Sequence, residues 1–374
     1  MYLLEAELSD FRNYATAKLE PSREITALIG ENGQGKTNLL EALYLIAGLR
    51  PLRSVPRRAL VRNGTRRASI RLRVQRRSTG LTHDLELSLE GSSRVLSKDG
   101  KKVPTDSFLG TLVAVAFTPD DLQLAKAGPD GRRRFIDRAL LNARPPYLAR
   151  ALRYARAVRE RNQLLAKDGA DAELDAFDAL IANEGAAILS ARQEYVAQLA
   201  PRVVERFQDI ARPAPPLEVR YRSTVEAGED ALAERLLASL GARRESDRRR
   251  RTTSVGPHLD DLVFELGGAA VKERASQGQH RALILALKLV ELELLSASLQ
   301  EPPLLLLDDM SSELDPGRTR QLFESVGELE GQVVLTSTSE PNQLRDVIGA
   351  DRDFVVQEVT GGELGPPRQM TLTA

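Results

Sequence analysis

ALIGENGQGKTNLLEALYL, residues 27–45, decides the fold. An apolar run, ITALIG, ends in a glycine loop, and an apolar helical pattern opens near Gly35. Gly30-x-x-x-x-Gly35-Lys36-Thr37 matches the phosphate-binding loop, in which glycines between a strand and a helix let backbone N–H groups wrap phosphates. The helix N-terminus adds its positive end to that cradle. The pattern assigns nucleotide contacts to Gly30, Glu31, Asn32, Gly33, Gln34, Gly35, Lys36, Thr37 and Asn38. Lys36 would reach the β- and γ-phosphates, and the Thr37 hydroxyl would ligate Mg²⁺.

A triphosphate site of this kind needs a carboxylate for its metal. PPLLLLDDMSSELD, residues 302–315, supplies one. Four leucines make a buried parallel strand, and two acids stand at its C-terminal end, the edge where open α/β sheets bind ligands. Asp308 would hold the Mg²⁺ hydration shell. Asp309, one residue on, is placed to orient or deprotonate an attacking water, or else it is a turn-forming acid.

The rest of the chain frames these motifs. Its 374 residues are 42% hydrophobic and 28% charged, as expected of a globular protein with a large core and room for two lobes. Cysteine is absent, which excludes disulfides, thiolate catalysis and cysteine-based zinc sites. MYLLEAELSDF carries acids and no basic start, unlike a signal peptide. No apolar run approaches the ~20 residues of a membrane span, so no membrane partner is expected and the cytoplasm is the expected location. The 53 basic and 53 acidic residues cancel, but Arg50–Arg77 holds many arginines and no acid. Such segregation fits either a polyanionic partner or a solvated face.

Alternation at Tyr2–Leu8, at Ala68–Arg76 and at His83–Glu90 reads as strands, the last two forming a hairpin about Ser78–Thr82. The next strand, from Ser93, turns at Asp99-Gly100, and Leu112–Phe117 is a short buried strand. From Asp120 the apolar spacing becomes helical, with two long antiparallel helices expected to meet near Lys167–Asp171. Extended chain returns at Ala211–Arg222, a helix at Glu234–Ser246, and loop and strand from Arg251 to Val271. After Ser276 helix and strand alternate: a helix, the Leu304–Leu307 strand, a helix from Gly317, the strand Gln332–Ser339, and a short helix near Asn342–Gly349. Strand–helix alternation at both ends predicts one parallel sheet built from two distant pieces of chain.

ASQGQHRALILALKLVE, residues 275–291, completes the pattern. Ser276 and Gln279 suit a helix N-cap and its third position, yet glycine is poor for the helix start it occupies at Gly278. The order of phosphate loop, long intervening stretch, Ser-x-Gly-Gln, acidic strand and Ser-x-Leu-Asp resembles the ATP-binding-cassette (ABC) ATPases. More narrowly it resembles their SMC-like heads, in which a helical insertion divides the ATPase. FRNY (11–14), FTPDDLQLAKAGPDGRRRFIDRALL (117–141) and TTSVGPHLDDL (252–262) draw the likeness toward the bacterial recombination mediators of that family.

The resemblance implies an α/β fold: a P-loop ABC-type ATPase lobe of residues 1–118 plus 252–374, and an inserted, mostly helical lobe of 119–251. It implies ATP with Mg²⁺, a signature of Ser276, Gln277, Gly278 and Gln279 that meets the γ-phosphate held by a second copy, and Arg12 reaching toward the nucleotide. The family usually has glycine where this chain has Gln277, and glutamate where it has Asp309. It often has a γ-phosphate-sensing histidine where Ser337 or Thr338 stands here. These departures imply slow hydrolysis, as in a switch. The implied activity is a weak, DNA-stimulated ATPase that dimerises on ATP and clamps duplex DNA at single-strand gaps, acting with RecR and RecO to help load RecA. The alternative is a nucleotide-switched structural SMC-like ATPase without gap specificity. A transporter subunit fits less well without the histidine, and the 120–251 insert is too short for a long coiled coil. Arg57, Arg58, Arg132 and Arg133 are the DNA candidates, with a protein partner or packing also open for the Arg132 cluster. His258 with Asp260 and Asp261 reads as a sparse metal site or, more simply, a turn organised by Gly256-Pro257.

Overall fold

Helix Lys36–Gly48 is apolar on nearly every side, and a helix of that kind must be enclosed. In the computed structural model, which describes residues 1–370 except 54, 92, 127, 226, 227, 229, 230, 310–314, 350 and 351, it is. Strands of two sheets pack against it: Ala114–Phe117 and Val333–Ser337 of one, and Tyr2–Phe11, Arg67–Gln75 and Thr82–Glu90 of the other. Leu39, Leu40, Leu43 and Ile46 are buried in a core that continues into Leu28, Leu72, Leu87 and Leu306.

The first sheet has five parallel strands in the order Phe354–Thr360, Ile25–Ile29, Val333–Ser337, Leu304–Leu307, Ala114–Phe117. Strands from the two ends of the chain interleave, as the alternation predicts. Leu304–Leu307 lies between two parallel neighbours, which explains four successive buried leucines. Glu363–Leu364 and Arg368–Met370 add antiparallel pairings to Phe354–Thr360. The second sheet is antiparallel, in the order Tyr14–Leu19, Tyr2–Phe11, Arg67–Gln75, Thr82–Glu90, Ser93–Lys98, Lys101–Lys102. Its period-two sequences bury one face, seen in Ile70, Leu72 and Val74.

The chain divides into two compact units, residues 1–123 with 277–374, and residues 124–276. The second unit holds helices Pro146–Ala166 and Asp171–Ile210, which run antiparallel from a turn at 167–170. Their direction is fixed by the pairs Arg144–Glu194, Arg153–Glu184 and Arg161–Asp178. The expected join at 251/252 moves to 276/277. The reason is Asp261–Leu266, which pairs with Leu217–Arg222 and belongs to this unit's own three-stranded sheet. The first join likewise falls at 123/124 instead of 118/119.

One ionic cluster organises the helical unit. Arg161 is wholly buried; its Nε donates to Asp178 Oδ1 at 2.6 Å, and its Nη1 to Asp247 Oδ2 at 2.8 Å and Thr253 Oγ1 at 3.0 Å. Replacing Arg161 with methionine leaves buried Asp247 without a cation, while Asp178 keeps Arg244 at 2.7 Å, and should cost about 3–5 kcal/mol, read as an earlier loss of helix in chemical denaturation. A wild-type denaturation midpoint would show that the cluster is not what holds these helices.

Candidate nucleotide site

The phosphate loop needs backbone that only glycine adopts cheaply. Gly30 has φ 150° and Gly35 φ 117°, and a Cβ would strike the Val359 carbonyl at the first and the Asn13 amide at the second. The loop is braced from two directions. Asn13 Nδ2 donates to the Gln34 carbonyl at 3.0 Å, Asn38 Nδ2 donates to Asn13 Oδ1 at 2.8 Å, and the Tyr14 hydroxyl donates to the Gly35 carbonyl at 3.0 Å. From the other side, Gly361 N–H donates to Gln34 Oε1 at 2.7 Å and Gly362 N–H to the Gln34 carbonyl at 3.0 Å. A loop held this firmly is preorganised before any ligand arrives.

Lys36 folds back over its own loop. Its Nζ donates to the Gly30 carbonyl at 2.5 Å and the Glu31 carbonyl at 2.8 Å. Burial pushes its ammonium below the usual value, while the carboxylates of Asp309 and Asp308 pull it upward. Thr37 Oγ1 donates to Asp308 Oδ1 at 2.7 Å, and Thr336 Oγ1 donates to the same oxygen at 2.9 Å. Asp308 is buried at the end of its leucine strand, and its N–H bonds the Phe117 carbonyl at 2.9 Å. Asp309 follows in left-handed backbone, φ 49°, with its N–H on Thr336 Oγ1 at 2.9 Å. A hydroxyl and a carboxylate brought within 2.7 Å are hard oxygen donors of the kind Mg²⁺ takes. That ion keeps most of its sphere for phosphate and water, so two protein oxygens suit it.

The other expected residues divide. Arg12 is committed to the helix: Nε donates to Glu41 Oε2 at 2.7 Å and Nη1 to the Ala59 carbonyl at 2.9 Å. Ser337 is buried with its Oγ accepting from Ser339 N–H, and Thr338 is exposed; the hydroxyl on Asp308 comes from Thr336. Ser276 immediately precedes helix Gln277–Leu299, with Ser276 and Gln277 exposed and Gly278 in the first turn. Of Ser-x-Leu-Asp, residues 312–314 lie outside the described residues; Asp315 caps helix Pro316–Glu328, accepting from Arg318 N–H at 3.1 Å.

Among the DNA candidates, Arg57 and Arg58 are exposed on the short turn Arg57–Leu60. Arg132 and Arg133 are turned inward, in line with the packing role left open for them. Arg132 clasps Asp261 through Nε at 2.8 Å and Nη2 at 2.9 Å, while Arg133 bonds the Asp260 carbonyl and Asp130. Charges so neutralised are packing devices of the helical unit. The GPHLDD stretch is likewise structural. His258 Nδ1 lies 2.6 Å from the Tyr154 hydroxyl and Nε2 3.1 Å from the Thr253 carbonyl, and burial lowers its pKa. Asp260 accepts from Tyr221 and Thr224. Among the described residues no cluster of three or more His, Asp or Glu side chains could hold a metal, and no helix is long and apolar enough to cross a membrane.

Sequence reading missed Asn13, Tyr14 and Thr336. The first two stand beside Arg12 in FRNY, and the third lies one residue before the end of a strand whose parallel register sets it next to Asp308. It also missed Arg53, whose Nη2 lies 3.9 Å from Asp308 Oδ2 on an exposed side chain.

Comparison with known proteins agrees with this geometry. Residues 2–352 match the family described as "RecF/RecN/SMC N terminal domain". A DNA replication and repair protein RecF from Anaeromyxobacter dehalogenans is 44% identical over 98% of this chain and 99% of its own. The protein of the same name from Myxococcus xanthus is 44% identical over 90% of this chain and 91% of its own. A solved structure of the recombination mediator protein RecF with ATP, in the RecFOR pathway, superimposes with a TM-score of 0.87 at 29% identity, covering 99% of this chain and 98% of that one. Loop, acidic strand and insertion therefore have one explanation: the chain belongs to the RecF/RecN/SMC family of ABC-type ATPases, within it to the RecF DNA replication and repair proteins.

Proposed function

We propose that this chain is an ATP-driven switch that assembles on gapped DNA. The observation that carries the proposal is the hydrogen bond from Thr37 to Asp308, which joins phosphate loop and acidic strand across 271 residues of sequence. In this reading the loop from Gly30 to Asn38 binds the triphosphate, and Lys36 exchanges its two loop carbonyls for the β- and γ-phosphates. Thr37 and Asp308 hold Mg²⁺, which supplies charge neutralisation at the phosphates when bound. Asp309 orients or deprotonates the attacking water. Ser337 or Thr338 senses the γ-phosphate, and Arg12 supports the site through Glu41.

Two copies close on two nucleotides, each offering its Ser276–Gln279 segment to the triphosphate of the other. Gly278 then has its purpose: without a side chain its backbone can approach a phosphate. ATP bridging two protomers binds the dimer far better than the monomer, which is the differential affinity a population shift requires. The dimer clamps duplex DNA through phosphate contacts, with Arg57 and Arg58 as candidates, and slow hydrolysis releases it. The RecF relative solved with ATP in the RecFOR pathway supports ATP as ligand and RecR and RecO as partners, and RecA enters this reading only indirectly.

The test is a gel shift on gapped duplex, with and without ATP, across a salt series. Binding should require ATP and weaken steeply with salt. Equal affinity for intact duplex favours the switch without gap specificity, and no ATP-dependent binding at low salt overturns the clamp. Ser276→Arg should leave ATP affinity unchanged yet abolish ATP-dependent dimerisation in light scattering. A variant that still dimerises removes Ser276 from the interface.

A further inference from the structure

We propose that Thr336 is a positioning residue that sets both acids of the site with a single hydroxyl, an inference that rests on the nucleotide-site reading above. Strand Val333–Ser337 runs parallel to Leu304–Leu307, with Leu335 opposite Leu307, so Thr336 falls beside Asp308. Its side chain is buried, and a hydroxyl there has one proton to give and lone pairs to accept. Both capacities are used. Oγ1 donates to Asp308 Oδ1 at 2.9 Å and accepts from the Asp309 N–H at 2.9 Å.

These two bonds have different consequences. Asp308 Oδ1 receives two donors, Thr37 and Thr336. When Thr37 turns its oxygen to a cation, its bond to Asp308 is weakened or lost. Thr336 is then the donor that keeps the carboxylate aimed. Such outer-shell partners are worth roughly 10–100-fold in metal affinity. The second bond acts on backbone. Asp309 is held at φ 49°, left-handed backbone that a non-glycine residue keeps only where its surroundings enforce it. The Thr336 hydroxyl is one such enforcement, because it grips the N–H of that same residue. Thr336 therefore fixes where one acid points and where the next one leaves the strand.

Valine has the shape of threonine without the oxygen, and serine has the oxygen without the methyl. In equilibrium binding of a fluorescent ATP analogue, Thr336→Val should raise the Mg²⁺ concentration for half-maximal tight binding about tenfold. Binding measured in EDTA should be unchanged, and Thr336→Ser should restore the wild-type Mg²⁺ dependence. A merely structural role would weaken binding equally with and without metal, and that outcome overturns the proposal. So does a valine variant with wild-type metal dependence, or a serine variant that behaves like valine. Amide exchange at Asp309, without nucleotide or metal, is the second readout: it should quicken in Thr336→Val and return in Thr336→Ser. Unchanged exchange also counts against the proposal. If the wild type itself binds no ATP, the nucleotide reading fails, while the exchange measurement still decides what Thr336 does.

Discussion

Lys36→Met should lower ATP affinity by at least about a hundredfold, and ATP-dependent dimerisation should disappear with it. The expected size follows from removing a charge-assisted donor to phosphate, worth roughly 1.5–3 kcal/mol per hydrogen bond. Two such bonds are at stake, since Nζ now makes two bonds to the Gly30 and Glu31 carbonyls and would turn them over to phosphate. The loop itself should survive, because Asn13, Tyr14 and Gln34 brace it independently of the lysine's two bonds. Fluorescent-nucleotide titration and light scattering on the same preparation check both parts. A variant that binds ATP normally would remove Lys36 from the site. One that binds normally and stays monomeric would separate affinity from association.

Asp309→Asn should keep ATP binding and dimerisation while hydrolysis falls by about 10²–10⁴-fold, the usual worth of a general base. The substitution separates two roles. Asparagine tolerates the left-handed region, so φ 49° and the N–H bond to Thr336 should persist, and only the charge is lost. A turn-forming aspartate would therefore be replaced with little effect. Single-turnover phosphate release measures the outcome, and a native rate excludes Asp309 as the base.

What the sequence made legible was whatever a local pattern encodes. The glycine loop before an apolar helix, the four leucines before two acids, and the period-two hairpins each carry their structure within a few residues. The joining of the loop strand and the leucine strand in one parallel sheet followed from strand–helix alternation at both ends. Three things were not legible, for physical reasons. The hydroxyl on Asp308 is set by interstrand register, which aligns Thr336 and leaves Ser337 one place beyond. The joins near 124 and 276 depend on which strands Asp261–Leu266 pairs with, a nonlocal choice. Whether Arg132 and Arg133 served DNA or packing could not be read, because Asp261 and the Asp260 carbonyl, which hold them, lie well over a hundred residues away. A run of arginines reports charge; only the fold reports whether an acid has cancelled it.

The interleaved sheet has a consequence for how the molecule is made. Ile25–Ile29 pairs on one side with Val333–Ser337 and on the other with Phe354–Thr360. On the ribosome, both edges of this early strand wait for partners translated roughly three hundred residues later, about 15–60 s at bacterial elongation rates. Meanwhile the phosphate loop has its helix but not the acid that completes it. Residues 124–276, by contrast, pair among themselves and can fold while the rest of the chain is still being synthesised. The nascent chain thus holds an unpaired apolar strand for most of its synthesis, a state in which chaperone binding competes with aggregation. Nucleotide can first stabilise the protein only when translation is nearly complete.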